Sequence, residues 1–353
     1  MKSKTVIWDM ELEELRQALR RLGEADYRAV QLFRWVHTHQ VTDWAAMTDL
    51  PQSLRQKLAE IFLLPEPRIL RTLEDAVDGT VKLLLELSDG EKIECVLMAQ
   101  EMQGEGKRYT ACLSSQAGCP VGCSFCATGG AGFRRNLTAG EIILQVMALQ
   151  RRLGPRKPGN RIGNIVFMGM GEPLLNYEAV QKARRILMDP QGWGISHRRI
   201  TLSTCGVVPQ IRRLALEKPP WELAVSLHAT TEEMRSRLVP LNRRYPLSEL
   251  LAACRYYVAT TGRRVTFEYV LLDGVNDTRE DAERLAGLVK GILAYINILL
   301  FNPVPGADFQ APEPERVQAF VRRLRELGLE VAVRDSRGCR IAAACGQLRG
   351  RES

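Results

Sequence analysis

The 353-residue sequence predicts an α/β protein built on a full or partial (βα) barrel, preceded by a helical region and a β-hairpin. From about residue 108 onward, short apolar stretches alternate with longer amphipathic stretches, which is the pattern of repeated βα units around a parallel sheet. About six such units are present, a number that fits a barrel or part of one. Unusual polar residues follow the ends of the apolar stretches, where barrels place their chemistry.

Composition restricts the class of protein. The length predicts about two domains, and 45% hydrophobic with 25% charged residues is typical of a soluble globular chain. Lysine and arginine exceed aspartate and glutamate by 49 to 41, a net charge of +8 that fits a polyanionic partner as well as plain solubility. Neither a secretory h-region nor a long uncharged apolar stretch is present, so we expect a cytoplasmic protein without a membrane partner.

Residues 1–70 are predicted to form a helical accessory domain. Leu12, Leu15 and Leu19 recur at a spacing close to 3.6 residues, and the segments 29–39 and 53–62 repeat this style. Aromatic and basic residues mix in the first of these segments. That mixture fits a core with a solvated face, and it also fits a surface that contacts RNA.

In residues 71–104 the hydrophobic pattern changes to a period of two. The segments 80–87 and 92–97 predict two strands around a turn at 88–91, which makes this part a β-hairpin linker. The polar, glycine-containing stretch 103–107 predicts the boundary with the core domain. We therefore divide the remainder into a core at 105–340 and a C-terminal segment at 341–353.

The core contains seven predicted strands and six predicted helices. The strands are 109–113, 164–168, 199–203, 223–227, 265–271, 296–301 and 330–334, and the helices are 139–152, 177–187, 208–217, 247–261, 279–291 and 315–327. GMGEP, STCG, His228 and Asn302 each follow one of these strands. Because parallel strands end at the same edge of a sheet, these residues predict one shared site there.

Three of the nine cysteines are clustered. Nine is an odd number and too sparse for a disulfide scaffold, and in a reducing compartment clustered cysteines indicate metal or redox chemistry. Cys119, Cys123 and Cys126 follow a predicted strand with the spacing CxxxCxxC. Three thiolates fit three irons of a cubane cluster and leave the fourth iron open. A zinc site, which would need a fourth protein ligand, is the alternative.

The order of motifs resembles the radical S-adenosylmethionine (SAM) superfamily and, within it, the RlmN/Cfr family of RNA methyltransferases, on its RlmN side. The resemblance covers essentially the whole chain and rests on FCATGGAGFRRNLT, FMGMGEPLLNY, ITLSTCGVVP, VSLHA, LLDGVND, FNPVPG and AACGQL. It implies a radical SAM partial (βα)6 barrel with a [4Fe-4S] cluster on Cys119, Cys123 and Cys126. By the same motifs, the SAM-binding residues are Gly171, Glu172, Ser203, Ser226, Leu227, His228 and Asn302.

The resemblance also assigns roles to two remote thiols and a carboxylate. Cys345 is implied to be methylated, Cys112 to resolve the intermediate, and Glu94 to accept a proton. Two SAM molecules are used per turnover: one methylates Cys345, and the other yields a 5′-deoxyadenosyl radical that activates the S-methyl group for addition to adenine. Cys112 then releases the product through a transient disulfide. Without the resemblance, Cys345 fits a small buried hydrophobe and Glu94 an exposed strand carboxylate.

The implied substrate is C2 of adenine in 23S ribosomal RNA, and transfer RNA is left open as a second substrate. A reductant such as flavodoxin or ferredoxin is implied, and no DNA partner. Methylation at adenine C8, as in the Cfr branch, is the alternative, and a non-catalytic metal-binding RNA module is a hypothesis of another class. Arg134 and Arg135 follow the cysteine loop, where we expect them to meet RNA phosphates.

Two details depart from the family pattern or carry no assigned role. Cys339 and Arg340 stand where an acidic residue is usual before the Ala-Cys segment, which affects the prediction of RNA preference. Cys205 stands where serine is commoner. We interpret Cys205, Cys254 and Cys95 as structural thiols.

Overall fold

The structure is a computed structural model that describes residues 4–102, 106–157 and 159–350. Its strands are β1 Thr5–Val6, β2 Phe62–Leu63, β3 Arg68–Glu74, β4 Val81–Glu86, β5 Lys92–Met102, β6 Gly106–Cys112, β7 Gln116–Gly118, β8 Phe133–Asn136, β9 Ile162–Phe167, β10 Ile200–Thr204, β11 Glu222–Ser226, β12 Val265–Leu271, β13 Ala294–Leu300 and β14 Val331–Arg334. Its helices are α1 Leu12–Arg21, α2 Asp26–His37, α3 Gln52–Ile61, α4 Ala127–Gly130, α5 Ala139–Leu153, α6 Tyr177–Met188, α7 Val208–Leu214, α8 Glu232–Leu238, α9 Leu247–Thr261, α10 Arg279–Val289 and α11 Pro314–Glu326.

One ten-stranded sheet organises the chain, in the order β14-β13-β12-β11-β10-β9-β6-β5-β4-β3. The strands from β14 to β6 pair in parallel, and β5, β4 and β3 continue the same sheet in antiparallel pairing. Helices cover the parallel part, because its strands are apolar on the face that meets them. This open, helix-covered sheet confirms the predicted α/β partial barrel.

The predicted β-hairpin is a meander of three strands. The strands β4 and β5 occupy the predicted positions, but sequence reasoning missed β3 at the edge of the sheet. Most β3 side chains are exposed, and four of its seven residues are polar or charged. An edge strand of this kind shows no alternation of apolar and polar residues, so its pattern does not reveal it.

The N-terminal helices share a continuous core with the barrel. Trp8, Leu15 and Phe33 are fully buried in the cluster that also contains the barrel helices. The carboxylate of Asp9 accepts a hydrogen bond of 2.6 Å from the Gly140 N–H at the start of α5. Ion pairs between α1 and α6 add to this contact. Phe33 and His37 of α2 are therefore core residues, whereas Tyr27 is exposed.

The division into domains remains a prediction. Residues 103–105, at the predicted boundary, lie outside the described residues. On either side of them β5 and β6 pair along their length, from Val96 opposite Cys112 onward. None of the described helices is both long enough and apolar enough to cross a membrane.

Candidate active site

A cavity opens at the carboxyl ends of the parallel strands, as the polar residues after the strands predicted. Nine of the thirteen predicted site residues line it, drawn from five separate stretches of the sequence. They are Cys119, Cys123, Cys126, Gly171, Glu172, Ser203, Ser226, His228 and Cys345. The other four, Glu94, Cys112, Leu227 and Asn302, lie around it in supporting positions described below.

The cysteine loop is held by the short antiparallel pair β7 and β8. The Cys119 N–H donates to the Gly132 carbonyl at 3.0 Å, which closes the loop at its base. Gly118 has φ +77°, and a Cβ built on it would lie 1.8 Å from the Gly132 oxygen. Only glycine fits there. The local sequence thus folds the loop tightly enough for its three thiols to face one cavity.

The arrangement of the three loop thiols fits a cluster of several metal atoms better than a single metal ion. In the part of the chain that the structure describes, no three His, Cys, Asp or Glu side chains converge closely enough to hold a single ion. The thiols instead surround a cavity, as ligands of a larger group would. Burial raises the pKa of both Cys119 and Cys126. Such thiols become ligands only when a metal replaces the proton.

Glu172 presents a buried carboxylate to the same cavity. Its Oε2 accepts a hydrogen bond of 2.6 Å from the Cys205 N–H, and its Oε1 accepts one of 3.0 Å from the Leu174 N–H. Burial raises its pKa, against the effect of these bonds. The preceding Gly171 packs on Gln116 so closely that a Cβ would lie 2.6 Å from the Gln116 Cβ. These contacts fix a carboxylate where it can bind a cationic ammonium group.

His228 is a neutral donor at the end of β11. Its Nδ1 accepts a hydrogen bond of 3.1 Å from the Val270 N–H, so the proton of the neutral ring is on Nε2. Burial lowers its pKa to about 3, which keeps the ring uncharged near neutral pH. Its φ of 60° turns the chain sharply after Leu227. The Leu227 side chain itself is buried in the main core, so only its backbone adjoins the cavity.

The C-terminal segment is bonded to the cysteine loop and carries Cys345 into the cavity. The Ala127 N–H donates to the Gly346 carbonyl at 2.7 Å, and the Thr128 hydroxyl donates to the Leu348 carbonyl at 2.6 Å. The Cys345 side chain is accessible from the cavity, yet protein surrounds it and burial raises its pKa to about 11. Two parts of the chain more than 200 residues apart therefore form one site.

Asn302 supports this segment from β13. Its Nδ2 donates to the Cys345 carbonyl at 3.4 Å, and its Oδ1 accepts from the Cys339 thiol at 3.2 Å. The side chain does not line the cavity. The departure from the family pattern at Cys339 thus places a thiol against a predicted SAM-binding residue. The exposed Arg340 forms an ion pair with the buried carboxylate of Asp75.

Cys112 ends β6 and lies within electrostatic reach of Cys345. Burial raises its pKa, and a charge at Cys345 raises it further. Both cysteines are free thiols in the structure. The fold therefore brings the two predicted catalytic thiols into one neighbourhood, although Cys112 does not line the cavity.

Glu94 is buried, so its interpretation as an exposed strand carboxylate is wrong. Its Oε1 lies 2.8 Å from the Lys82 ammonium, and its Oε2 accepts from the Arg349 and Gly350 N–H groups at 2.5 and 3.1 Å. Lys82 also donates to the Ala342 carbonyl at 3.0 Å. The pair thereby ties the hairpin strands to the C-terminal segment.

Sequence reasoning missed two residues of the site. Cys205 lines the cavity with its Sγ 3.9 Å from the Cys123 Sγ, and this contact and burial raise its pKa. Its interpretation as a structural thiol stays a prediction, but its place two residues after Ser203 could have shown that it adjoins the site. Glu268 lies opposite Ser226 in the β11–β12 register, and its charge raises the pKa of Cys345.

The two arginines after the loop have different surroundings. Arg135 pairs with Glu141 at 2.8 Å and with Asp89 at 2.5 Å, so its charge is compensated within the protein. Arg134 is exposed and lines a second cavity beside the loop. The expectation that both meet phosphate is therefore retained only for Arg134.

Comparison with known proteins relates the whole chain to one group. The profile of the radical SAM superfamily matches residues 113–286, and that of the ribosomal RNA large subunit methyltransferase N-terminal domain matches residues 5–64. A probable dual-specificity RNA methyltransferase RlmN from Moorella thermoacetica is 60% identical over 96% of this chain and 95% of its own length. The dual-specificity RNA methyltransferase RlmN of Syntrophobacter fumaroxidans is 48% identical over 96% of both chains.

A solved structure shares the fold. The crystal structure of a radical SAM methyltransferase from Sphaerobacter thermophilus superposes with a TM-score of 0.92 at 50% identity, over 98% of this chain and all of that one. The agreement extends from the N-terminal helices to the segment that carries Cys345.

Proposed function

The chain belongs to the RlmN family of radical SAM RNA methyltransferases, and we propose that it methylates C2 of adenine in RNA through a methylated Cys345. One observation carries the proposal. Cys345, which can carry a methyl group, lines the same cavity as the three loop thiols. A site that only bound metal would have no use for Cys345, a further thiol that is supported separately on the C-terminal segment.

We assign the cofactor groups to the residues that face this cavity. Cys119, Cys123 and Cys126 would hold a [4Fe-4S] cluster, and Gly171, Glu172, Ser203, Ser226 and His228 would contact SAM. When bound, the reduced cluster and SAM supply a carbon-centred radical that can remove hydrogen from a methyl group. Glu172 is oriented to bind the methionyl ammonium group, and His228 to donate one hydrogen bond through Nε2. Two SAM molecules per turnover follow from the two tasks, one methylation and one radical formation.

Three side chains carry the remaining steps. Cys345 must lose its proton before it accepts a methyl group, because only the thiolate is a good nucleophile. Cys112 is assigned to attack the Cys345 sulfur and release the product as a disulfide forms. Glu94 is assigned to accept the ring proton. Since its carboxylate is bonded to Lys82 and to two amides, the C-terminal segment must move for that transfer.

The proposed substrate is 23S ribosomal RNA, with transfer RNA as a second substrate, because two relatives carry "dual-specificity" in their names. The electron donor is a flavodoxin or ferredoxin, and the activity belongs in the cytoplasm, where these RNAs are. The buried site requires that the target adenine leave its stack and enter the cavity.

RNA in which the target adenine carries deuterium at C2 tests the proposal. The reconstituted, reduced protein should convert it to 2-methyladenosine that has lost the deuterium, as measured by mass spectrometry of the digested RNA. An 8-methyladenosine product that keeps the deuterium would overturn the C2 assignment. Binding of the RNA with no methylated product, and no cleavage of SAM, would instead identify a non-catalytic RNA module.

A further inference from the structure

A second cavity lies beside the first and is lined largely by polar groups. Three basic side chains face it, Lys92, Arg134 and Arg349, against the single carboxylate of Glu91. The walls come from five separate stretches: residues 90–92 at the start of β5, Gly118, residues 131–134 around the start of β8, Met170, and residues 349–350 of the C-terminal segment. Their convergence brings the guanidinium groups of Arg134 and Arg349 to one cavity.

The chain connects this cavity closely with the active site. Gly118, on its wall, directly precedes the cluster ligand Cys119, and Met170 precedes Gly171 of the first cavity. Arg349 follows Cys345 by four residues. The turn before β5 lies on the same face, because β5 runs antiparallel to β6 and Val96 already pairs with Cys112 at the end of β6. An RNA strand that inserts one base into the first cavity would therefore pass the second cavity with its backbone.

Two basic groups of this cavity, the guanidinium groups of Arg134 and Arg349, carry a charge that the described residues do not neutralise. Among the described residues, neither Arg134 nor the Arg349 guanidinium forms an ion pair, whereas the neighbouring Arg135 is held between Glu141 and Asp89. Arg135 thus fixes β8 to the turn before β5 and keeps the walls of the cavity in place. Uncompensated guanidinium groups in a fixed polar cavity are suited to a dianionic or monoanionic oxyanion.

We propose that this cavity binds a backbone phosphate of the RNA strand next to the adenine that enters the active site. The proposal rests on the proposed function, because it takes RNA as the substrate. Arg134 is the main contact, since it is the exposed guanidinium at the cavity mouth, and Arg349 is the second. By holding the backbone of the flanking nucleotide, the two residues position the extruded base without reading its sequence.

Arg134→Gln and its matched control Arg322→Gln test this inference. Arg322 is an exposed arginine on α11, in the outer layer of helices, so both variants lose one surface charge. RNA binding is measured by fluorescence anisotropy over a range of KCl concentrations. Loss of one phosphate contact should reduce the slope of log Kd against log salt by about 0.7 to 0.9 for Arg134→Gln and leave it unchanged for Arg322→Gln. The affinity of Arg134→Gln at low salt should fall about tenfold.

Two further results decide the interpretation. Arg134→Lys should recover most of the salt slope, because it restores the charge, and Arg349→Gln should reduce the slope as Arg134→Gln does. Equal slopes for Arg134→Gln and Arg322→Gln, with wild-type methylation intact, would overturn the phosphate site alone. Absence of RNA methylation by the wild-type protein would count against the proposed function itself.

Discussion

The ammonium of Lys82 lies 2.8 Å from the carboxylate of Glu94, and both side chains are buried. Each partner also bonds the C-terminal segment, Lys82 through the Ala342 carbonyl and Glu94 through the Arg349 and Gly350 N–H groups. The position of Cys345, between these attachment points, therefore depends on an ion pair formed by two strands of the meander.

Replacing Lys82 with methionine should destabilise the protein by about 3 to 5 kcal/mol, because it leaves the Glu94 carboxylate buried without its cationic partner. The C-terminal segment should also become accessible, so trypsin should cut at Arg340 or Arg349 faster than in the wild type. Urea unfolding and limited proteolysis measure the two effects. Lys57→Met, on the exposed face of α3, is the control and should change stability by less than about 0.5 kcal/mol. Equal stability of the two variants would contradict the role of the pair.

Cys205→Ser should keep the full iron content of the reconstituted protein, whereas Cys123→Ser should lose much of it. The two sulfurs are 3.9 Å apart, so both thiols lie at the loop, but only Cys123 belongs to the CxxxCxxC spacing. Serine at position 205 keeps the backbone N–H that donates a hydrogen bond to the Glu172 carboxylate. Iron and sulfide analysis after anaerobic reconstitution gives the comparison. Loss of iron in Cys205→Ser to the level of Cys123→Ser would show that the protein uses four thiols.

The barrel could be predicted from the sequence because the hydrophobic residues of its strands and helices follow the periodicity typical of each element. All seven predicted core strands are present, and the polar residues after three of them, in GMGEP, STCG and at His228, meet in one cavity, whereas Asn302 does not line it. The edge strand β3 could not be predicted, since an exposed edge strand shows no alternation of apolar and polar residues. The hydrogen-bond and ion-pair partners of Glu94 could not be predicted from the sequence either. Lys82 is 12 residues away and Arg349 is 255 residues away, and only the folded sheet and the docked C-terminal segment bring them together.

Glu268→Gln should become more stable than the wild type as the pH rises from about 4.5 to 7. Burial raises the pKa of Glu268 to about 7 from its ordinary value of 4.5, so in this window the folded chain keeps a proton that the unfolded chain has released. The wild type therefore loses stability as the pH rises, and glutamine, which keeps an acceptor for the Asn297 amide, does not. The difference should reach about 3 kcal/mol above pH 7.

Urea unfolding of the metal-free chain under reducing conditions, at several pH values, measures this difference. Glu233→Gln, an exposed carboxylate at the start of α8, is the control and should follow the wild type throughout. A constant difference between Glu268→Gln and the wild type across the window would mean that Glu268 titrates normally.

Cys112→Ala should stop the reaction after one turnover and leave the protein joined covalently to its RNA. Cys112 is the buried thiol within electrostatic reach of Cys345, so it is positioned to attack the Cys345 sulfur once the adduct has formed. A denaturing gel with labelled RNA should show the adduct in Cys112→Ala and none in Cys345→Ala, which cannot accept the methyl group. Cys254→Ala removes an equally buried thiol from α9 and should turn over like the wild type. Repeated turnover by Cys112→Ala would assign the release step to another group. Cys95, which adjoins Cys112, would then be the first residue to substitute.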